Sequence, residues 1–173
     1  CAKVFHNKHM ANRKKLHLAQ AYIMSKGSYL SGTWSVLNHT SEKKFHGAVL
    51  SMYRHCVGEH FKYDGGELAT DADLLADHEL MSPANIVRRN RIMFFIRLVK
   101  KEVNIILDMA AMCQDDKFAW SYALLGDLKF CCSCSNDCGS KWGQCESLED
   151  WIGAVRANGA LLKRTFDKCL KAP

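Results

Sequence analysis

Apolar residues recur along most of the chain at the three- and four-residue spacing of an α-helix. No segment alternates convincingly with the period of two that is typical of a β-strand. The first helix is predicted from about residue 12 to residue 30, with Leu16, Ala19 and Ile23 on one face. The pattern therefore predicts an all-α protein, a helical bundle.

Turn and capping signals divide the rest of the chain into further helices. A second helix is predicted to begin at residue 40 or 41, and Thr70 followed by Asp73 resembles a capping box for a short third helix. Ser147 is predicted to begin a helix with acids in its first turn, and a separate last helix is predicted to be amphipathic and basic. A helix is also predicted over 117–130, and residues 131–145 are predicted to form a Cys-rich loop.

The segment 82–101 is predicted to be the central helix. Ser82 can cap it, and Pro83 suits its first position, where a missing N–H is no loss. From Ile92 to Val99 every residue except Arg97 is apolar, so this part is apolar on all sides and should be buried. Arg97 is accordingly predicted to be partly buried and paired.

The net charge of +6 is unevenly distributed along the 173 residues. Residues 1–60 carry nine Lys and Arg against two Glu, residues 61–82 carry six acids against one Lys, and residues 83–106 carry six bases against one Glu. Two basic blocks favour a surface that follows a polyanion, and the alternative is an ordinary solvated surface with local ion pairs. The apolar fraction of 48% argues against disorder, and no apolar run is long enough to cross a membrane.

Nine cysteines are present, and five of them lie between residues 131 and 145. Zinc prefers four soft thiolate ligands, so a zinc site is predicted at Cys131, Cys134, Cys138 and Cys145. Only the pair Cys131 and Cys134 has the favoured two-residue gap. A disulfide or redox role and an incidental Cys-rich loop are the alternatives. An odd number of cysteines without a signal sequence favours a reducing compartment, which predicts an intracellular location, nuclear or cytoplasmic.

Two other residue types are assigned structural roles. A catalytic pair of Cys56 with His55 or His60 is disfavoured, because sequence neighbours seldom face one another on a helix. Trp residues are predicted to anchor the core, except Trp142, which is predicted to be exposed in the Cys-rich loop.

Several stretches in order resemble the region that follows the polymerase palm in non-LTR (LINE-type) retrotransposon reverse transcriptases. They are Val4-Phe-His-Asn-Lys-His-Met10, Lys15-Leu-His-Leu-Ala-Gln-Ala-Tyr-Ile-Met-Ser25, Leu30-Ser-Gly-Thr-Trp34, the helix from Phe45 to Arg54, the Ser82-Pro83 helix with Arg91 to Val99, Trp120-Ser-Tyr-Ala-Leu-Leu-Gly-Asp-Leu128 and Asp150-Trp151-Ile152. The resemblance spans nearly the whole chain.

The resemblance implies a thumb-like helical region at 1–60 and a helical linker domain at 67–173. Such a region holds RNA or an RNA–DNA duplex through the phosphate backbone and works with the upstream palm and fingers of the same polypeptide. The candidate phosphate contacts are Lys14, Lys15, Arg88, Arg89 and Arg91.

The chain departs from the family in lacking the aromatic-x-Asp-Asp signature that holds two Mg²⁺ ions for RNA-directed DNA polymerase activity. Asp115-Asp116 follows Cys113-Gln114 and is interpreted as a helix start. The chain, which begins with Cys1, is therefore expected to be a fragment without a catalytic site, and Mg²⁺ is expected only in the absent palm. The alternatives are a helical protein–protein interaction module, with or without stabilisation by zinc, and a decayed copy of such an element.

Overall fold

A computed structural model describes residues 7, 9–58, 70–134 and 136–171. All regular secondary structure in these ranges is helical, which confirms the predicted all-α class. The α-helices are α1 (Asn12–Leu18), α2 (His39–Val57), α3 (Asp71–Asp77), α4 (Pro83–Lys100), α5 (Asn104–Met112), α6 (Trp120–Cys134), α7 (Asn136–Trp142) and α8 (Leu148–Lys171). A π-helical stretch, Ala19–Met24, and a short turn, Ser25–Gly27, continue α1, and Ser31–Thr33 forms a 3₁₀ turn.

The chain divides into two compact units. Among the described residues, unit 1 comprises 7, 9–29, 38–58 and 70–84, whereas unit 2 comprises 30–37, 85–134 and 136–171. These boundaries differ from the predicted division into 1–60 and 67–173. The physical reason for assigning 30–37 to unit 2 is close packing, since a Cβ built on Gly32 would lie 2.8 Å from the Asn90 carbonyl oxygen.

Unit 1 is built on the packing of α1 and its π-helical continuation against α2. Leu16 and Ala19 from the first segment are buried, as are Val49 and Tyr53 from α2. The capping box predicted for α3 is confirmed: the Asp73 amide donates to the Thr70 hydroxyl, and the Asp73 carboxylate accepts from the Thr70 amide.

Unit 2 is arranged around α4, as its apolar sequence predicts. Ile92 and Phe95 are fully buried, and Val99 is almost fully buried. The Asn85 amide side chain donates to the carbonyl of Leu170 near the end of α8. At the other end of α4, the Lys100 side chain lies against Gly159 in the middle of α8, so the two helices run antiparallel.

The span Leu148–Lys171 consists of two helical segments joined across a kink, which agrees with the two helices that the sequence predicts. Asn158 interrupts its helical backbone with φ −156° and ψ 63°, which accounts for the break in the pattern. The start at Ser147 is as predicted, since its hydroxyl accepts from the Asp150 amide and the Asp150 carboxylate accepts from the Ser147 amide.

The prediction of a Cys-rich loop at 131–145 is wrong. Helix α6 continues to Cys134, and α7 occupies Asn136–Trp142. Trp142 is buried rather than exposed, because its ring packs edge-on against Phe166 of α8 with ring centroids 5.7 Å apart. A tertiary contact with a distant helix therefore gives this segment a core side chain.

Candidate nucleic-acid interface and thiol cluster

The three arginines at the start of α4 bind carboxylates within unit 2. Arg91 is 7% exposed, and its guanidinium donates to the Asp127 carboxylate over 2.5 Å. Burial raises the pKa of the Asp127 carboxyl, while the charges of Arg91 and Arg88 act in the opposite direction. This buried pair holds α4 to α6.

Arg88 and Arg89 also lie against carboxylates of unit 2. The Arg88 guanidinium lies 3.6 Å from the Asp127 carboxylate and 3.9 Å from the centre of the Phe130 ring. Arg89 donates to the Asp167 carboxylate of α8 over 2.6 Å. The positive charge of Arg88, Arg89 and Arg91 is thus largely used within unit 2, in ion pairs that join α4 to its two neighbours.

The prediction for Arg97 is wrong, because its side chain is exposed. It occupies the side of α4 that the apolar residues around it leave open to solvent. Among the lysines predicted to contact phosphate in unit 1, Lys14 is exposed and Lys15 is half-buried. Lys15 lies close enough to Cys56 for its charge to act on that thiol.

A second group of bases remains on the surface of unit 2, and we call it the α4–α8 cationic surface. Every member is exposed: Arg97, Lys100, Lys101, Lys163, Arg164, Lys168 and Lys171. The Lys100 side chain packs against Gly159 of α8, and Lys163 lies one helical turn beyond that glycine. Arg164, Lys168 and Lys171 follow the spacing that places them on one solvent-facing side of α8.

The acids closest in sequence to this surface do not neutralise it. Asp167 is bonded to Arg89, and Glu102 follows Lys101 in an exposed turn. In the part of the chain that the structure describes, no member of the α4–α8 cationic surface forms an ion pair with a carboxylate. The surface therefore keeps its charge available for an external anion.

An exposed apolar stripe lies elsewhere on unit 2, along α5. Ile105, Met109 and Met112 are 72%, 63% and 86% exposed, and their spacing places them on one side of the helix. Phe118, in the turn that follows, is 88% exposed. Large side chains grouped in this way are typical of a surface that meets another molecule.

The cysteines of unit 2 gather where α6, α7 and the end of α8 meet. Cys131 and Cys138 are buried, and Cys169 of α8 donates from its thiol to the Cys131 carbonyl over 3.5 Å. The sequence reasoning missed Cys169, because it lies 24 residues beyond the Cys-rich segment. Burial raises the pKa of the Cys145 thiol, and the neighbouring Asp150 charge adds to that effect.

The zinc site predicted at Cys131, Cys134, Cys138 and Cys145 stays a prediction. Within the described ranges, no group of three or more His, Cys, Asp or Glu side chains is arranged to hold a metal ion. The described cysteines are free thiols. Metal analysis of the purified chain tests the prediction, since zinc below about a tenth of an equivalent leaves no structural site.

Cys56 has the properties of a core residue. It is 2% exposed, and burial raises the pKa of its thiol, although the Lys15 charge opposes that shift. A buried thiol with a raised pKa is a poor nucleophile.

An open groove of about 640 Å³ runs between α7 and α8 and contains Lys141, Cys145 and Asp150. Lys141 is paired with Asp137 one turn earlier in α7, at 2.7 Å. The charge of Lys141 at this groove is therefore offset by Asp137, whereas the bases of the α4–α8 cationic surface have no carboxylate partner among the described residues.

No protein-family model, curated protein or solved structure matches this chain. Among the helices that the structure describes, none has both the length and the apolar character needed to cross a bilayer.

Proposed function

We propose that this chain holds a nucleic acid by its phosphate backbone, as a non-catalytic part of a larger RNA-directed DNA polymerase of the retrotransposon type. The polymerase part of this proposal rests on the sequence resemblance alone. The observation that carries the binding part is the α4–α8 cationic surface, which has seven exposed bases without carboxylate partners in the described chain.

The dimensions of this surface suit a duplex. The rise of an α-helix is about 1.5 Å per residue, so the bases of α8 from Lys163 to Lys171 extend over about 12 Å. A double helix presents one phosphate charge per about 1.7 Å of its axis, or about seven over that length. Several bases on one helix can therefore contact phosphates at the same time, without reading the base sequence.

Charge reversal on α8 tests the proposal. The variant Lys163→Glu, Arg164→Glu, Lys168→Glu should weaken binding to an RNA–DNA hybrid by at least about tenfold at low salt and lower the salt slope by about three. Fluorescence anisotropy measures both quantities. Reversal of Arg88, Arg89 and Arg91 would serve less well, because it would break the internal ion pairs and destabilise unit 2.

A matched control comes from exposed lysines elsewhere on unit 2. The variant Lys117→Glu, Lys129→Glu, Lys141→Glu changes the net charge by the same amount on other surfaces. It should weaken binding by less than about threefold, through long-range electrostatics alone. Equal losses in the two variants would show that net charge, and not the α4–α8 cationic surface, governs the affinity.

The exposed apolar stripe on α5 favours a second candidate function, protein interaction between copies of this chain. Sedimentation velocity should then show association that depends on concentration and is abolished by Ile105→Ser with Met109→Ser. A chain that stays monomeric at high concentration would remove this candidate. The same variant should leave nucleic-acid affinity unchanged under the first proposal.

A further inference from the structure

Cys169, near the end of α8, lies beside the cysteines of α6 and α7. Cys169 lies beside the last turn of α6, where its thiol donates to the Cys131 carbonyl over 3.5 Å. The Cys134 thiol, one turn further along α6, is near enough to act on the pKa of the Cys169 thiol. Cys134 and Cys169 are 35 residues apart in sequence, and the fold brings Cys169 beside the turn of α6 that ends at Cys134. Both are free.

The cysteines of this cluster differ in their access to solvent. Cys134 is exposed, Cys169 is half-buried, and Cys131 and Cys138 are buried. A dissolved reagent therefore reaches Cys134 first, whereas Cys169 is shielded from direct attack and reacts with a partner already beside it.

We propose that Cys134 and Cys169 are a thiol-modification site that closes to a disulfide when the chain meets a small-molecule disulfide. This inference does not rest on the proposed nucleic-acid binding. The position of Cys169 against the last turn of α6 carries it, together with the difference in exposure between Cys134 and Cys169.

The exchange takes two balanced steps. The Cys134 thiolate attacks one sulfur of the small disulfide, whose S–S bond breaks, and a small thiolate leaves and takes up a proton. Cys169 then loses its proton and attacks the Cys134 sulfur, and the second small thiol is released. Two protein thiols are oxidised to one disulfide, and one small disulfide is reduced to two thiols.

The new bond would tie the end of α6 to the last turns of α8. Closing a loop of this length stabilises a chain by restricting its unfolded state, and for a chain of this size the melting temperature should rise by about 5–10 °C. The exchange is reversible, because a reducing thiol drives the same steps backwards.

Oxidised glutathione is the probe for the test. After incubation and blocking of the remaining thiols, peptide mass spectrometry should identify Cys134–Cys169 as the main disulfide. In Cys169→Ala the reaction should stop at a glutathione adduct on Cys134, and in Cys134→Ala the disulfide should be lost. Circular dichroism establishes that each variant is folded before it is compared.

Cys113 supplies the matched control, because it is exposed and lies outside the cluster. Cys113→Ala should form the Cys134–Cys169 disulfide at the rate of the unaltered chain. The inference is overturned if the unaltered chain accumulates only the Cys134 adduct, or if another pair, such as Cys132 with Cys145, forms the main disulfide.

Discussion

At the residue scale, the free energy of unfolding of unit 2 depends on a buried charge pair. Arg91 and Asp127 are 7% exposed each. Removing each ion from water costs several kcal/mol, and the attraction between the two charges offsets that cost only while both are present. Arg88, 3.6 Å from the same carboxylate, supplies additional positive charge. The largest loss of stability is therefore expected when only one ion of the pair is removed.

The substitution Asp127→Ala should lower the free energy of unfolding by about 3–5 kcal/mol, because it leaves the Arg91 guanidinium buried without its carboxylate. The double substitution Arg91→Met with Asp127→Leu should recover most of that loss, since it removes both charges and keeps the volume. Urea unfolding measures the free energy of unfolding of the unaltered chain and of both variants. If the double variant were as unstable as Asp127→Ala, the loss would come from packing and not from the unpaired charge.

The thiol cluster gives unit 2 an expected sensitivity to alkaline pH. Burial raises the pKa values of Cys132 and Cys169 from 9.0 to about 11 each, so the folded state holds these protons more tightly than the unfolded state does. Their contribution to stability is full below pH 9 and is lost as the pH rises towards 11.

Thermal unfolding at a series of pH values tests this expectation. The difference in melting temperature between the unaltered chain and Cys132→Ala with Cys169→Ala should be constant below pH 9 and shrink between pH 9 and 11. A difference that stays constant through pH 11 would contradict the shifted pKa values. Cys113→Ala is the control, because its thiol is exposed and outside the cluster.

At the element scale, the 3₁₀ turn Ser31–Thr33 is fixed to α4 by close packing. A Cβ at Gly32 would lie 2.8 Å from the Asn90 carbonyl oxygen and 2.9 Å from the Phe94 Cβ. The Trp120 indole N–H donates to the Gly32 carbonyl over 2.5 Å, so α6 holds the same turn. A methyl group there would have to displace the α4 backbone.

Gly32→Ala should therefore destabilise the chain by about 1–3 kcal/mol. Gly126→Ala is the matched control, because a Cβ there meets nothing within 4 Å and the residue is inside α6. It should stabilise the chain by about 0.5–1 kcal/mol, through the higher helix propensity of Ala. Denaturant unfolding should separate the two variants in opposite directions, and a stable Gly32→Ala protein would contradict the packing described for the turn.

The elements that sequence predicts best are those whose signals are local. The apolar run of α4 predicts the buried position of that helix, and the Thr70–Asp73 pair predicts the cap of α3. Both signals depend on residues within one or two helical turns. The helical state of the Cys-rich segment is not predictable from local signals, since it depends on packing against α8, as the contact of Trp142 with Phe166 illustrates.

The candidate site was harder to predict for the same reason. The carboxylates that bind Arg91 and Arg89 lie 36 and 78 residues away, so nothing near the arginines in sequence indicates that their charge is used internally. The sequence indicates that the last helix is basic, but only the fold places Lys100 of α4 beside Gly159 of α8.

At the scale of the whole molecule, charge is divided between two roles. Arg88, Arg89 and Arg91 join the helices of unit 2, whereas the α4–α8 cationic surface carries bases that remain open to solvent. A surface of this kind binds phosphate by releasing the counterions of the nucleic acid, so its affinity must fall steeply as salt is added.

The salt dependence of binding by the complete chain to an RNA–DNA hybrid tests the central proposal most directly. With four to seven phosphate contacts, a plot of log affinity against log salt should be linear with a slope of about −4 to −6. A slope near zero, or no measurable binding at about 50 mM salt, would contradict the proposal that this chain holds a nucleic-acid backbone.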